Sequence, residues 1–423
     1  MINCKKSTLP NRLRIIVSPM TSTEAVTVMI LIRAGSRYEV QKIRGIAHFL
    51  EHMFFKGGQR YPDPRSVAEA IDGVGGVFNA FTWREYVGYF VKVAKDKIDI
   101  AFDVLSDMLM NAQFDKDALD RERGVILEEY NMYQDTPMLS IGDTFEGLLY
   151  GDHPIGWATI GLKPVIKSVS RTDFMRYRQK LYTPSNIVVS VAGNTSMSEV
   201  KKRVNKYLPF AKIGRKSQPL PYRAPAPAKK LKVVYKNTEQ AHLILGVPTF
   251  GAQHRDRYTE RVLAAVLGGG MSSRLFTSVR ERLGLAYYVR AGVSHYVDAG
   301  YLLASAGVDV KRIDVAIKTI IGELRQLTAE LVPAKELKKA KEYLLGGLVL
   351  GLEDSDDVAY GFGIEELLFG KVETIPETRR KIRAVTAQQV RALAQRIFTD
   401  KALALAVVGP YKENSAIKRA FKL

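Results

Sequence analysis

The second half of this 423-residue chain repeats the first, and any fold proposed for it has to accommodate two copies of one scaffold. AHLILGVPTF, from Ala241, corresponds to AVTVMILIRAG, from Ala25. YLLASAGVDVKRIDVAIKTII, from Tyr301, corresponds to YFVKVAKDKIDIAFDVLSDML, from Tyr89, and ALALAVVGPYKENSAIKRAF to NIVVSVAGNTSMSEVKKRV. Each copy mixes short apolar runs that read as strands with longer periodic stretches that read as helices, and hairpin-like neighbours. The pattern predicts an α+β fold of two homologous domains, each a mainly antiparallel sheet backed by helices. Between them KIGRKSQPLPYRAPAPAKK has four prolines and no apolar periodicity, so it reads as an extended, semi-rigid linker. The expected division is therefore 1–211, a linker over 212–230, and 231–423.

Composition narrows the class. With 46% hydrophobic and 25% charged residues the chain has the balance of an ordinary soluble globular protein. The single cysteine, Cys4, excludes an internal disulfide and suits a reducing compartment, so a cytoplasmic location is expected. No apolar region follows the first six residues, and no run reaches membrane-spanning length, so neither a signal peptide nor a membrane partner is expected. The net charge of +19 raises nucleic acid as a partner. Lys and Arg are spread along the chain, however, in short clusters such as Arg379-Arg380-Lys381, and no nucleic-acid motif accompanies them. A basic surface without a nucleic-acid site is the expectation.

The two copies differ most in GIAHFLEHMFF, Gly45 to Phe55. On a helix His48, Glu51 and His52 stand at i, i+3 and i+4 and share one face, while Ile46, Leu50 and Met53 can pack into a core. Two histidines four apart grip a metal from one side, and a carboxylate beside them can take a proton from water polarised by it. The plainer alternative is a buried helix with two satisfied core histidines, but two of only six histidines fall here at ligand spacing. In the second copy the aligned residues are Glu260, Leu263 and Ala264, so the metal face is lost there.

A hydrolytic zinc site uses three protein ligands and water, whereas a structural site uses four protein ligands. The third ligand is expected on the acidic helix ALDRERGVILEEYNMYQD, Ala118 to Asp135. Glu122 and Glu129 lie seven apart and line one face, with Glu128 rotated about 100° away. Glu129 is the expected ligand and Glu122 the partner that orients a histidine or the ligand. A solvated acidic face remains the alternative for Glu122, and Glu128 is expected in solvent.

HFLEHMFFKG, GVFNAFT and ERGVILEEYNMYQDTP together resemble the inverted-zinc-motif metallopeptidases, the group of pitrilysin, insulin-degrading enzyme and the mitochondrial processing peptidase. The resemblance runs over nearly the whole chain and is greatest to the short bacterial, processing-peptidase-like branch. It implies one Zn²⁺ per chain on His48, His52 and Glu129, with Glu51 as catalytic base and Glu122 in support. It also implies a clamshell of a catalytic first domain and a metal-free second domain, and a homodimer.

SSRLFTSVRERLGLAYYV, Ser272 to Val289, resembles the family segment that carries an arginine and a tyrosine, seven apart, to the zinc site. Arg280 and Tyr287 have that spacing and would serve a developing oxyanion as donors. Tyr288 competes for the tyrosine role, and Arg282 is expected to point outward. In the NAFT stretch the resemblance implies that Asn79 and Ala80 pair with an extended peptide at a sheet edge. From the residues alone, a turn into a core strand is an equal alternative for that stretch. The reading is a zinc endopeptidase for short or unfolded peptides. A non-catalytic scaffold subunit is the alternative, although such subunits usually lack part of the motif set present here.

Overall fold

A computed structural model of the protein describes residues 4–210, 213–224 and 228–423. Residues 212 and 225–227 of the Pro-rich linker, and 1–3 and 211 of the expected first domain, lie outside the described residues. The first half runs β1 Lys5–Thr8, β2 Arg14–Pro19, β3 Ala25–Ile32, α1 Ile46–Phe54, α2 Pro64–Asp72, β4 Val77–Thr82, β5 Val87–Ala94 and α3 Ile98–Asn111. It continues through α4 Lys116–Asp135, α5 Pro137–Tyr150, α6 Lys163–Ser168, α7 Arg171–Leu181, β6 Ile187–Gly193 and α8 Met197–Tyr207. The second half runs β7 Lys230–Tyr235, β8 Gln240–Thr249, α9 Arg257–Gly268, a π-helical stretch Phe276–Arg282, β9 Ala286–His295, β10 Gly300–Asp309 and α10 Ile313–Ala329. It ends with α11 Ala334–Leu350, α12 Ser355–Phe369, α13 Ile375–Ala384, α14 Ala387–Ile397, β11 Ala404–Gly409 and α15 Ser415–Ala420.

The duplication is visible in strand order. The first sheet runs β1-β2-β6-β3-β5-β4 and the second β7-β11-β8-β10-β9. Apart from β1 the two orders match strand for strand. Each sheet has one parallel pair, β2 with β6 and β7 with β11, and its other neighbours are antiparallel. The fold is α+β with two mainly antiparallel sheets, as the sequence predicts. Central strands such as β3 and β6 are buried on both faces, which is why AVTVMILI and IVVSVAG are continuous apolar runs rather than alternating ones.

The compact units depart from the linear division at 212–230. One comprises the chain to Asn131, Trp157–Leu220 and Val349–Ile375; the other comprises Met132–Gly156, Pro221–Leu348 and Pro376–Leu423. The cause is an exchange of corresponding helices between the copies. In the first unit α12, from the second copy, packs on β2, β3 and β6. Its Ser355 hydroxyl bonds Thr27 at 2.8 Å, and Ser190 donates to the Ala359 carbonyl at 2.7 Å. The buried Arg33 guanidinium donates to the Leu367 and Leu368 carbonyls at the end of α12, at 2.5 and 2.7 Å. Those carbonyls have no intrahelical partner, and a cation suits the negative end of the helix dipole.

In the second unit α5, from the first copy, packs on β7, β8 and β11. Ile141, Phe145 and Leu149 bury themselves against Ile244, Ala404, Ala406 and Val408. Its buried Glu146 accepts from the hydroxyls of Tyr296 and Tyr301 at 2.6 and 2.7 Å. The opposite face carries Leu243, Leu245 and Val247 in the main core, with Val262, Ile317 and Leu393 from α9, α10 and α14. Among the described residues no helix is long and apolar enough to cross a membrane.

Candidate metal centre

Helix α1 begins at Gly45 with φ +96°, where a Cβ would lie 2.6 Å from the Ile160 carbonyl oxygen, so only glycine fits. The N–H groups of Gly45 and Ala47 donate to the two oxygens of buried Glu39, at 2.8 and 2.9 Å. Glu39 thus closes a helix end whose first donors have no intrahelical acceptor. Phe49 packs edge-on against Phe174, and Phe54 against Tyr89 and Phe114, with ring centroids 5.0, 5.4 and 5.5 Å apart. With Ile46, Leu50 and Met53 also buried, the helix is anchored in rotation, and the face left over carries His48, Glu51 and His52.

Helix α4 supplies the opposing groups. Leu119, Glu122 and Ile126 are its buried positions, and Glu129 continues that row while Glu128 is exposed. Val125 lies off that row and points to solvent. His48 Nε2 lies 3.6 Å from Glu129 Oε1, and His52 Nε2 lies 3.6 Å from Glu129 Oε2. One donor atom from each of His48, His52 and Glu129 falls within 4.8 Å of the others.

Those separations test the fit to a metal. At 3.6 Å the histidine–carboxylate pairs are too long for hydrogen bonds. Zn²⁺ ligands at about 2.0–2.1 Å in a tetrahedron stand roughly 3.3–3.4 Å apart, close to what is found. Two imidazoles and a carboxylate are also a donor set zinc favours. The residues present fit the ion.

The surrounding groups fix these donors unequally. His52 Nδ1 lies 2.8 Å from Glu122 Oε1, and the other Glu122 oxygen is 2.5 Å from Lys56 Nζ. Among the described residues His48 Nδ1 is buried without a hydrogen-bond partner, so packing alone holds that ring. Glu51 is buried, and its Oε2 accepts a hydrogen bond from the Thr82 hydroxyl. Thr82 closes strand β4, which lies at the free edge of the first sheet.

Burial, reinforced by His52, holds the His48 imidazole down to about 3, so it is neutral and its lone pair is available. Burial also pulls on His52, but the carboxylates of Glu122, Glu129 and Glu51 outweigh it and raise that ring above its ordinary value. For Glu122 burial is outweighed by His52 and Lys56, which keep the carboxyl below its usual range. Burial raises Glu51 against the opposing pull of Thr82 and His52. Burial raises Glu129 too, with His52 opposing. The centre thus combines a neutral imidazole, His48, with two carboxylates, Glu51 and Glu129, whose charge burial disfavours, and a nearby divalent cation would offset that burial.

Asn79 and Ala80 lie on β4, and the Asn79 side-chain oxygen accepts from the Ala80 N–H at 2.8 Å. In the second unit, Arg280 ends exposed in the π-helical stretch, with its guanidinium 4.8 Å from the Phe276 ring centroid. Tyr287 on β9 is 77% exposed. Tyr288 faces the other way, its hydroxyl 3.1 Å from His242 Nδ1. Arg282 is exposed, as expected. At the positions matching the metal face, Glu260 is fully buried against His295 at 2.7 Å, and Leu263 and Ala264 belong to the core.

Three contributors have no assigned role in the sequence reading: Glu39, Lys56 and Thr82. Strand alternation was the available signal for Thr82, since it shares a face of β4 with Phe78 and Ala80. Lys56 and Glu39 need the tertiary neighbours before they can be seen.

The insulinase (peptidase family M16) model matches residues 14–160, and the peptidase M16 inactive domain model matches residues 168–344. The chain is 37% identical over 406 residues to YmxG, an uncharacterised zinc protease of Bacillus subtilis, covering 96% of this chain and 98% of that protein. It is 35% identical to an uncharacterised zinc protease of Mycobacterium leprae, covering 99% of this chain and 94% of the relative. Among solved structures, a protease from Helicobacter pylori superposes with a TM-score of 0.90 at 24% identity, covering 96% of this chain and 100% of the other. A peptidase M16 inactive domain from Pseudomonas fluorescens gives 0.89 at 18% identity, covering 97% and 99%. These two structures speak to the fold alone.

Proposed function

The chain belongs to peptidase family M16, the insulinase family, and from that premise we propose that it is a zinc endopeptidase acting on short or unfolded peptides. The observation that carries this reading is the convergence of His48, His52 and Glu129, with a buried carboxylate, Glu51, on the same turn of α1 as the two histidines. His48, His52 and Glu129 would hold one Zn²⁺ per chain, and Glu122 would orient His52. Zinc, when bound, supplies a Lewis acid that makes water a nucleophile near neutral pH.

Glu51 receives the proton that water gives up on attacking the peptide carbonyl and returns it to the leaving amine. Asn79 and Ala80 take the peptide as an added strand at the edge of the first sheet. Arg280 and Tyr287 donate to the developing oxyanion. The exposed hydroxyl of Tyr287 supports it over Tyr288, whose hydroxyl is engaged by His242. In this reading the first repeat, 1–211, holds the metal, 212–230 links, and the second repeat, 231–423, is metal-free. The single cysteine supports a cytoplasmic location, and likeness to the short bacterial branch supports a homodimer. A complete ligand set with its base favours a self-sufficient enzyme over a scaffold subunit.

A quenched-fluorescent peptide library tests the proposal. Cleavage should stop with a chelator and return on adding zinc, with metal analysis giving one zinc per chain. Cleavage indifferent to the chelator would contradict it.

A further inference from the structure

Glu51 reaches the site through a long side chain with several rotatable bonds, and a general base is effective only when its oxygen is held where the proton leaves. The rotamer alone does not set the plane of the carboxylate, because the last torsion of a glutamate is broad. The structure supplies it from another element. Thr82 ends β4, donates its hydroxyl to Glu51 Oε2, and lies 31 residues away in the chain. A β-branched residue on a paired strand has a restricted χ1, and Thr82 is paired with Val87 across the β4–β5 hairpin. The hydroxyl is therefore a fixed donor, and its bond to a carboxylate is of the stronger, charge-assisted kind.

We propose that Thr82 is the positioning residue for Glu51: its hydroxyl holds Oε2, fixes the plane of the carboxylate, and leaves Oε1 as the oxygen that receives the proton. This rests on Glu51 being the base. It adds a second role to β4. The strand offered as the peptide's docking edge through Asn79 and Ala80 ends in the residue that orients the base, so one element sets both substrate backbone and proton acceptor.

The test is a set of variants read by turnover and by a measurement that needs no turnover. Thr82→Val keeps the shape and removes the hydroxyl. It should lower kcat on the order of 10- to 100-fold, the size expected of one lost charge-assisted hydrogen bond, with KM within about twofold and zinc content unchanged. Thr82→Ser should recover most of the loss. In a Glu51→Gln background the same Thr82→Val change should cost nothing further, because a positioning residue has nothing left to position. In the metal-free protein the thermal midpoints of Thr82→Val, Glu51→Ala and the pair should be non-additive, reporting the bond itself.

Several outcomes overturn the inference. They are a Thr82→Val loss that appears equally in the Glu51→Gln background, a rise in KM with kcat intact, or additive midpoints. Wild-type turnover by Glu51→Gln alone would instead remove the general-base reading, and this inference with it.

Discussion

His52 Nδ1 stands 2.8 Å from Glu122 Oε1, and the second oxygen of the same carboxylate is 2.5 Å from Lys56 Nζ. A histidine that binds metal through one nitrogen is oriented by what its other nitrogen touches, so Glu122 sets the ring and Lys56 keeps Glu122 ionised. Glu122→Gln should weaken zinc affinity roughly 10- to 100-fold, the usual cost of losing such a partner, and Lys56→Met should weaken it less. Competition with a chromogenic chelator measures both. Unchanged affinity in Glu122→Gln would show that His52 is held by packing, as His48 is.

Glu128 and Glu129 are neighbours in sequence and differ in direction: Glu128 is exposed, while Glu129 lies 3.6 Å from both histidines. Glu129→Gln should lose most of the bound zinc and Glu128→Gln should behave like the wild type. Metal analysis of the two purified variants checks the helical phase directly. Zinc lost from Glu128→Gln instead would place the wrong face of α4 at the site.

Burial pushes the Glu39 carboxyl up to about 8, against the opposing N–H groups of Ala47 and Gly45, from an ordinary value of 4.5. The folded chain therefore holds this proton more tightly than the unfolded chain. Its stabilising contribution is full below about 4.5, declines as the pH rises, and is lost once the pH passes about 8. Thermal midpoints between pH 5 and pH 8 should fall more steeply in the wild type than in Glu39→Gln, which has no proton to exchange. Parallel curves would mean that Glu39 is already ionised across that range.

Tyr287 and Tyr288 point to opposite sides of β9, and among the described residues only Tyr288 has its hydroxyl engaged, by His242. Tyr287→Phe should lower kcat by about 10²–10³, the range for one lost oxyanion donor, with zinc content full. Tyr288→Phe should leave kcat near normal. Arg280→Ala should affect both kcat and KM, since a guanidinium can also hold the carbonyl before reaction. Steady-state kinetics on the three variants would contradict the assignment if the Tyr288 change were the damaging one.

The parts of this molecule that can be read from sequence are those set by local periodicity. His48, Glu51 and His52 share a face because helix geometry demands it, and Glu122 and Glu129 do so for the same reason. The duplication is legible because strands β3 and β8, or β6 and β11, keep their apolar runs. The exchange of α5 and α12 is not legible. The buried row of SDDVAYGFGIEELLF, Ser355, Val358, Ala359, Phe362, Gly363, Glu366 and Leu367, includes small and polar residues, so no apolar stripe marks the face that meets a sheet. The Thr82–Glu51 and Lys56–Glu122 contacts escape for a related reason: each depends on which elements become neighbours, which neither partner's local sequence encodes.

Hydrolysis at a metal site on α1 and α4, with Glu51 as its proton carrier, can be tested by one paired measurement on one preparation. Glu51→Gln should be assayed for zinc content and for peptide turnover together. Zinc should stay at the wild-type level and kcat should fall by a factor on the order of 10² or more, the signature of a lost general base. Zinc lost along with activity would make Glu51 a ligand, and turnover preserved with zinc in place would leave the site without the role assigned to it.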